Sequence, residues 1–140
     1  MTQNLVRAED EVITALGRKI GIPNLATQDF DLVFADAEAV EKYCDQVESI
    51  ELTAAERFYF MMLIVASLDL ALADRVPGFE ASERRVEELL SKDLADYKYI
   101  IDYWGGRDSP LRTVPMMSRL KQDARYEYSG GASMFEDPPL

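Results

Sequence analysis

Two groups of side chains in this sequence have the types and spacing to do chemistry. The first is a set of carboxylates. Glu38, Glu41, Asp45 and Glu48 recur at i, i+3, i+7 and i+10, which places four carboxylates along one face of a helix. Such a row attracts cations, either a metal ion or the lysines and arginines of a basic protein surface. Asp29 and Asp31 precede the row and Glu51 follows it, against one base, Lys42. Asp93 and Asp96 form a further pair, three residues apart, whose oxygens suit a hard cation such as Mg²⁺. The second group is aromatic: Tyr97, Tyr99, Tyr103 and Trp104. Tyr and Trp are enriched where interface energy concentrates, so Tyr99, Asp102 and Tyr103 make a candidate second contact patch in addition to the acidic row.

The pairs Glu38-x-x-Glu41 and Asp93-x-x-Asp96 together resemble the metal-binding ExxE…ExxD pattern of all-α nucleotide pyrophosphohydrolases. They depart from it in separation and in the identity of the second pair, and the resemblance covers these residues alone. It implies Mg²⁺-dependent hydrolysis of a phosphorylated small molecule, with Glu38, Glu41, Asp93 and Asp96 as metal ligands.

Other chemistry is excluded by composition. The chain has no histidine, which removes imidazole acid–base catalysis, His-containing triads and His metal sites. Its one cysteine, Cys44, cannot form an intrachain disulfide or a thiolate zinc cluster. No Gly-rich phosphate loop or GxSxG elbow is present. We therefore expect no catalytic residues and no cofactor. The net charge is −11, and all of it falls on residues 1–104, since residues 105–140 are balanced. A field of that sign argues against nucleic acid and anionic membranes as partners and for a basic protein. The N-terminal MTQNLVRAEDEV carries acids where a signal peptide needs an apolar stretch. With the lone cysteine, this points to the cytoplasm.

The elements that must position these residues read as helices. At 140 residues with 48% hydrophobic content, one domain with a sizeable core is expected. Leu5, Val12, Ile13, Leu16 and Ile20 share one face of a first helix over about Asn4–Lys19, broken by Gly21 and Pro23. A connector over 22–35 carries the apolar anchors Leu25, Phe30, Leu32, Val33 and Phe34. A second helix runs from Asp36, a suitable N-cap, to about Ile50, with Val40, Cys44 and Val47 inward. The third, about Thr53–Asp74, opens with a Thr53/Glu56 capping box and is apolar almost all round, which marks it as central. The fourth runs from Ser82 to Trp104, before Gly105-Gly106. A short fifth covers about Met116–Tyr126, and Ser129–Leu140 reads as a flexible tail.

Two acids fall on apolar faces of these helices. Asp69 lies among Phe58, Met62, Val65, Leu72 and Ala73, and Asp93 among Leu89, Leu90, Tyr97 and Ile100. Both are candidate buried polar residues, paired in the core or placed at an interface. The expectation is an all-α bundle of four main helices plus a short one over residues 1–128, with residues 129–140 as the tail. It is expected to bind and neutralise a basic protein partner, as an immunity protein or antitoxin does. The Mg²⁺-dependent enzyme is the alternative. A structural subunit that homodimerises through the third or fourth helix, with Asp69 or Asp93 setting the register, is a further one.

Overall fold

The computed structural model describes residues 2–27, 29–104, 113 and 115–122, with side chains from Glu9 onward. Residues 129–140, expected to form a tail, lie outside the described residues. The protein is an all-α bundle with no strand among the described residues. The helices are α1 Thr2–Ile20, α2 Phe30–Val33, α3 Val40–Ser49, α4 Ala54–Asp74, α5 Phe79–Ser91 and α6 Lys98–Trp104, followed by α7 over 115–122. No helix among the described residues is long and apolar enough to cross a membrane. The chain clusters into two compact units, Met1–Val86 and Glu87–Leu140.

In the first unit, α4 is the central helix and packs against α1, α2 and α3. Phe60, Leu63, Ile64, Val65 and Leu68 are fully buried along it. Its start follows the sequence signal. The Thr53 hydroxyl accepts the Glu56 N–H at 3.1 Å, and the Glu56 carboxylate accepts the Thr53 N–H at 2.9 Å. Lys19, in the last turn of α1, adds an ion pair to the same Glu56 oxygen at 2.7 Å. The start of α4 is thereby tied to the end of α1.

Two helix ends use left-handed residues to satisfy their last carbonyls. After α1, Gly21 takes φ 82°, and the Gly21 and Ile22 N–H groups both reach the Gly17 carbonyl at 2.9 Å. Gly17 has no side chain for a reason: a Cβ there would lie 2.6 Å from the Ile22 carbonyl oxygen. After α4, the same role falls to Arg75, with φ 53° and its N–H bonded to the Ala71 carbonyl. An L-residue with a Cβ is costly in that region.

Three expectations are corrected. First, the second helix begins at Val40, not Asp36. The Asp36 carboxylate accepts the Glu38 N–H at 3.0 Å, and its carbonyl accepts the Ala39 N–H at 3.1 Å. This local turn competes with the helix for the same groups. Second, Leu32 and Val33 are not anchors. α2 is a single turn whose Phe30 packs edge-on against Tyr59 with ring centroids 6.0 Å apart. That leaves Leu32 and Val33 on the opposite arc, exposed. Third, the expected helix from Ser82 to Trp104 is two helices, α5 and α6, separated by turns over 92–97. The Ser91 hydroxyl donates to the Glu88 carbonyl at 2.8 Å. Asp93 and Asp96, both poor helix formers, close the turns through Asp96 N–H to Asp93 O at 3.0 Å and Tyr97 N–H to the same oxygen at 3.2 Å.

In the second unit, Leu90, Tyr97, Ile100, Ile101, Trp104, Met116, Met117 and Leu120 are buried. Pro115 stands at the first position of α7, where its missing N–H leaves no bond unmade. Arg119 forks onto the Glu87 carboxylate, with Nη2 to Oε1 at 2.8 Å.

Candidate functional site

The acidic row is three carboxylates on α3, not four. Glu41, Asp45 and Glu48 lie at i, i+4 and i+7 and are exposed, while Val40, Tyr43, Cys44 and Val47 are buried on the other side. Glu38 stands before the helix, in the Asp36 turn, and is exposed. Like charges at this spacing repel, and the fold answers with one guanidinium. Arg85 on α5 approaches Glu41 at 2.8 Å, Asp45 at 2.7 Å and Glu48 at 2.6 Å. Ser82, one turn earlier, donates its hydroxyl to the other Glu41 oxygen at 2.8 Å. The Glu48, Glu41 and Asp45 carboxylates, in that order of strength, raise the arginine above its ordinary value, so it stays charged. Ser82, expected as the start of the fourth helix, thus sits inside α5 and holds Glu41.

This clamp changes what the row can do. Three anions around one cation leave a negative surplus, and the side chains are fixed in place rather than waving in solvent. Cys44 lies beneath them. Burial pushes its thiol up to about 12, with Arg85 opposing and Glu41, Glu48 and Asp45 adding to the rise. A thiol in that state is a structural side chain, not a nucleophile.

Of the two acids expected on apolar faces, Asp93 is moved off its face and Asp69 stays on α4. Asp93 is exposed, because the helix that would have buried it ends at Ser91. Asp69 is partly buried on α4. Among the described residues the buried polar side chains are Asp31, Glu56, Ser67, Ser82 and Thr113. Ser67 accepts the Asp36 N–H at 3.0 Å, joining α4 to the turn before α3. Asp31, counted from the sequence with the acidic surface, is buried on α2. Burial raises its carboxyl above the ordinary 3.8, against hydrogen bonds from the Asp31 and Leu32 N–H groups, and Asp29 adds to the rise.

The metal-ligand reading loses its geometry. Glu38 precedes α3 and Asp93 and Asp96 lie in turns, so neither pair sits on a helix face. Among the described residues no group of three or more His, Cys, Asp or Glu is arranged to hold a metal ion. The aromatic patch of the second unit is present. Tyr99 and Tyr103 are both exposed on α6 and stack with ring centroids 6.3 Å apart and 23° between planes. Asp102, beside them, pairs with Lys98 at 2.7 Å. Trp104 and Tyr97 are buried core residues. An open hollow of about 750 Å³ lies at the end of α1, lined by Thr14, Gly17, Arg18, Gly21 and Leu25 among others. Among the described residues its lining includes no carboxylate, tyrosine, lysine or cysteine.

Sequence reasoning missed Arg85, the residue that organises the row. Arg84-Arg85 stands near the start of a helix, where cations do not suit the dipole, so local sequence gives it no role. The signal was there in another form: three acids on one helix face need a counter-cation, and Arg85 was among the few bases available. Comparison of the chain with protein-family models, with curated proteins and with solved structures finds no match.

Proposed function

We infer that this protein binds and neutralises a basic protein partner in the cytoplasm, with no catalytic step of its own. The observation that supports this reading is the Arg85 clamp, which holds Glu41, Asp45 and Glu48 in fixed positions with charge to spare. Carboxylates already ordered lose little side-chain entropy when a cationic surface arrives. The net charge of −11 extends the attraction outward and speeds association with a basic partner, by about 10- to 10³-fold at low salt. An immunity protein or antitoxin that guards its cell against a cationic toxin is a concrete instance. Tyr99, Asp102 and Tyr103 supply a second contact patch of the kind interfaces favour.

The test has two steps. Affinity capture from the native cell identifies the partner, which is then purified and titrated at low and high salt. Glu41→Lys combined with Asp45→Lys is expected to weaken binding by about 100-fold and to flatten its salt dependence. An affinity and a salt slope that both stay at the wild-type values overturn the reading.

A further inference from the structure

Outside the clamp, the first unit exposes a compact apolar feature. Leu32 and Val33 on α2 are 55% and 62% exposed, more than any other large aliphatic residue whose side chain is described. They cannot turn inward, because Phe30 and Asp31 occupy the buried side of the same turn and Phe30 is seated on Tyr59. Exposed acids flank the pair in sequence: Asp29 at the N-cap of α2, then Asp36 and Glu38 in the following turn. None of the three joins an ion pair among the described residues. No lysine or arginine occurs between Lys19 and Lys42. Among the described residues no cation pairs with these three acids, in contrast to the Arg85 clamp.

The geometry points to Leu32 and Val33 as the apolar anchor of a docking surface for a basic amphipathic segment of a partner protein. An aliphatic or aromatic side chain of that segment covers the pair, and its lysines or arginines meet Asp29, Asp36 and Glu38. An apolar centre with a polar rim is the ordinary anatomy of such a contact. Charge decides the occupant. A second copy of this chain would bring its own acids against these, and like charges across an interface repel. A basic segment meets attraction from Asp29, Asp36 and Glu38, which flank the pair in sequence. The inference rests on the reading of the protein as a binder of a basic partner and adds the place where apolar contact is made.

The test uses the full chain and a labelled helical peptide of about 14 residues, with leucines on one face and lysines on the other. Fluorescence anisotropy reads its affinity for wild-type protein and for Leu32→Ser combined with Val33→Ser. The double variant is expected to bind about tenfold more weakly or worse while keeping the wild-type melting temperature, since it alters exposed side chains. An all-lysine peptide of equal length is expected to bind both proteins alike. Asp29→Asn with Glu38→Gln provides a check that leaves the apolar pair intact, and is expected to flatten the salt dependence of peptide binding. Equal affinity of wild type and the serine variant overturns the inference, and so does a failure of the amphipathic peptide to bind wild type. Sedimentation showing a wild-type dimer that the serine variant dissolves overturns it too, because the occupant is then a second copy. Glu41→Lys with Asp45→Lys separates the two levels. A loss there without a loss in the serine variant leaves the basic-partner reading standing and removes the α2 anchor.

Discussion

Arg85 and Glu41 are 44 residues apart in the chain and 2.8 Å apart in the fold, Nη1 to Oε1. The contact joins α5 to α3, and Asp45 and Glu48 share the same guanidinium. Arg85→Ala leaves three mutually repelling carboxylates. The groups are substantially solvated, so the expected loss is modest, about 1 kcal/mol in urea denaturation at low salt. The loss should shrink toward 1 M salt as both attraction and repulsion are screened. Arg85→Lys should fall between the two, because an ammonium cannot fork across three acceptors. A salt-independent loss would mean the arginine acts through packing alone.

Glu56 should control the acid side of the stability curve. Burial alone would raise its carboxyl, but Lys19 and the Thr53 N–H hold it below the ordinary 4.5. A carboxylate held low in the fold contributes stability that is present above pH 4.5 and lost as the pH falls through the lower, folded value. Glu56→Gln is expected to cost about 2 kcal/mol at pH 7. It should also give a shallower fall in stability below pH about 4.5, read by denaturant melts across pH.

Asp31 should act with the opposite sign. Its carboxyl is raised by burial, so the protonated form favours the fold and the charged form strains it. The penalty is full above the folded value and vanishes once the pH falls below the ordinary 3.8, where both states carry the proton. Asp31→Asn is expected to stabilise by about 1 kcal/mol at pH 7 and by nothing near pH 3. Destabilisation at pH 7 would show that the carboxylate has a partner the asparagine cannot replace.

Arg75 closes α4 in a conformation suited to glycine, at φ 53°. Arg75→Gly should stabilise by about 1 kcal/mol, and Arg75→Ala should change little, since alanine keeps the Cβ. Paired thermal melts read this directly, with a rise of several degrees expected only for glycine.

How far the sequence could be read depended on the range of the forces involved. The all-α class, the centrality of α4 and the Thr53/Glu56 capping box rest on local spacing, and local spacing was legible. The break at 92–97 was not, because Val86, Leu90, Tyr97, Ile101 and Trp104 keep helical spacing across it. Periodicity records which residues are buried and is blind to a change of direction between them. Asp93 was read onto an apolar helix face for that reason. In the candidate site, Glu41, Asp45 and Glu48 were legible as one face, since i, i+4 and i+7 on one helix need no tertiary information. Glu38 was lost to a side-chain turn, and Arg85 was hidden because its partners lie far away in sequence. Asp31 and Leu32 exchanged their expected places. On a helix of a single turn, packing by Phe30 decides which side faces inward.

The clamp on α3 also carries an asymmetry in redundancy. Any one of Glu41, Asp45 and Glu48 can be replaced by a neutral residue and two anions still hold Arg85. Nothing of the kind covers the loss of Arg85, because all three contacts end on it. For holding α3 to α5 the acids are individually dispensable and the arginine is not. A single neutral replacement at 41, 45 or 48 should therefore leave the tie between α3 and α5 in place, and a replacement at 85 should not.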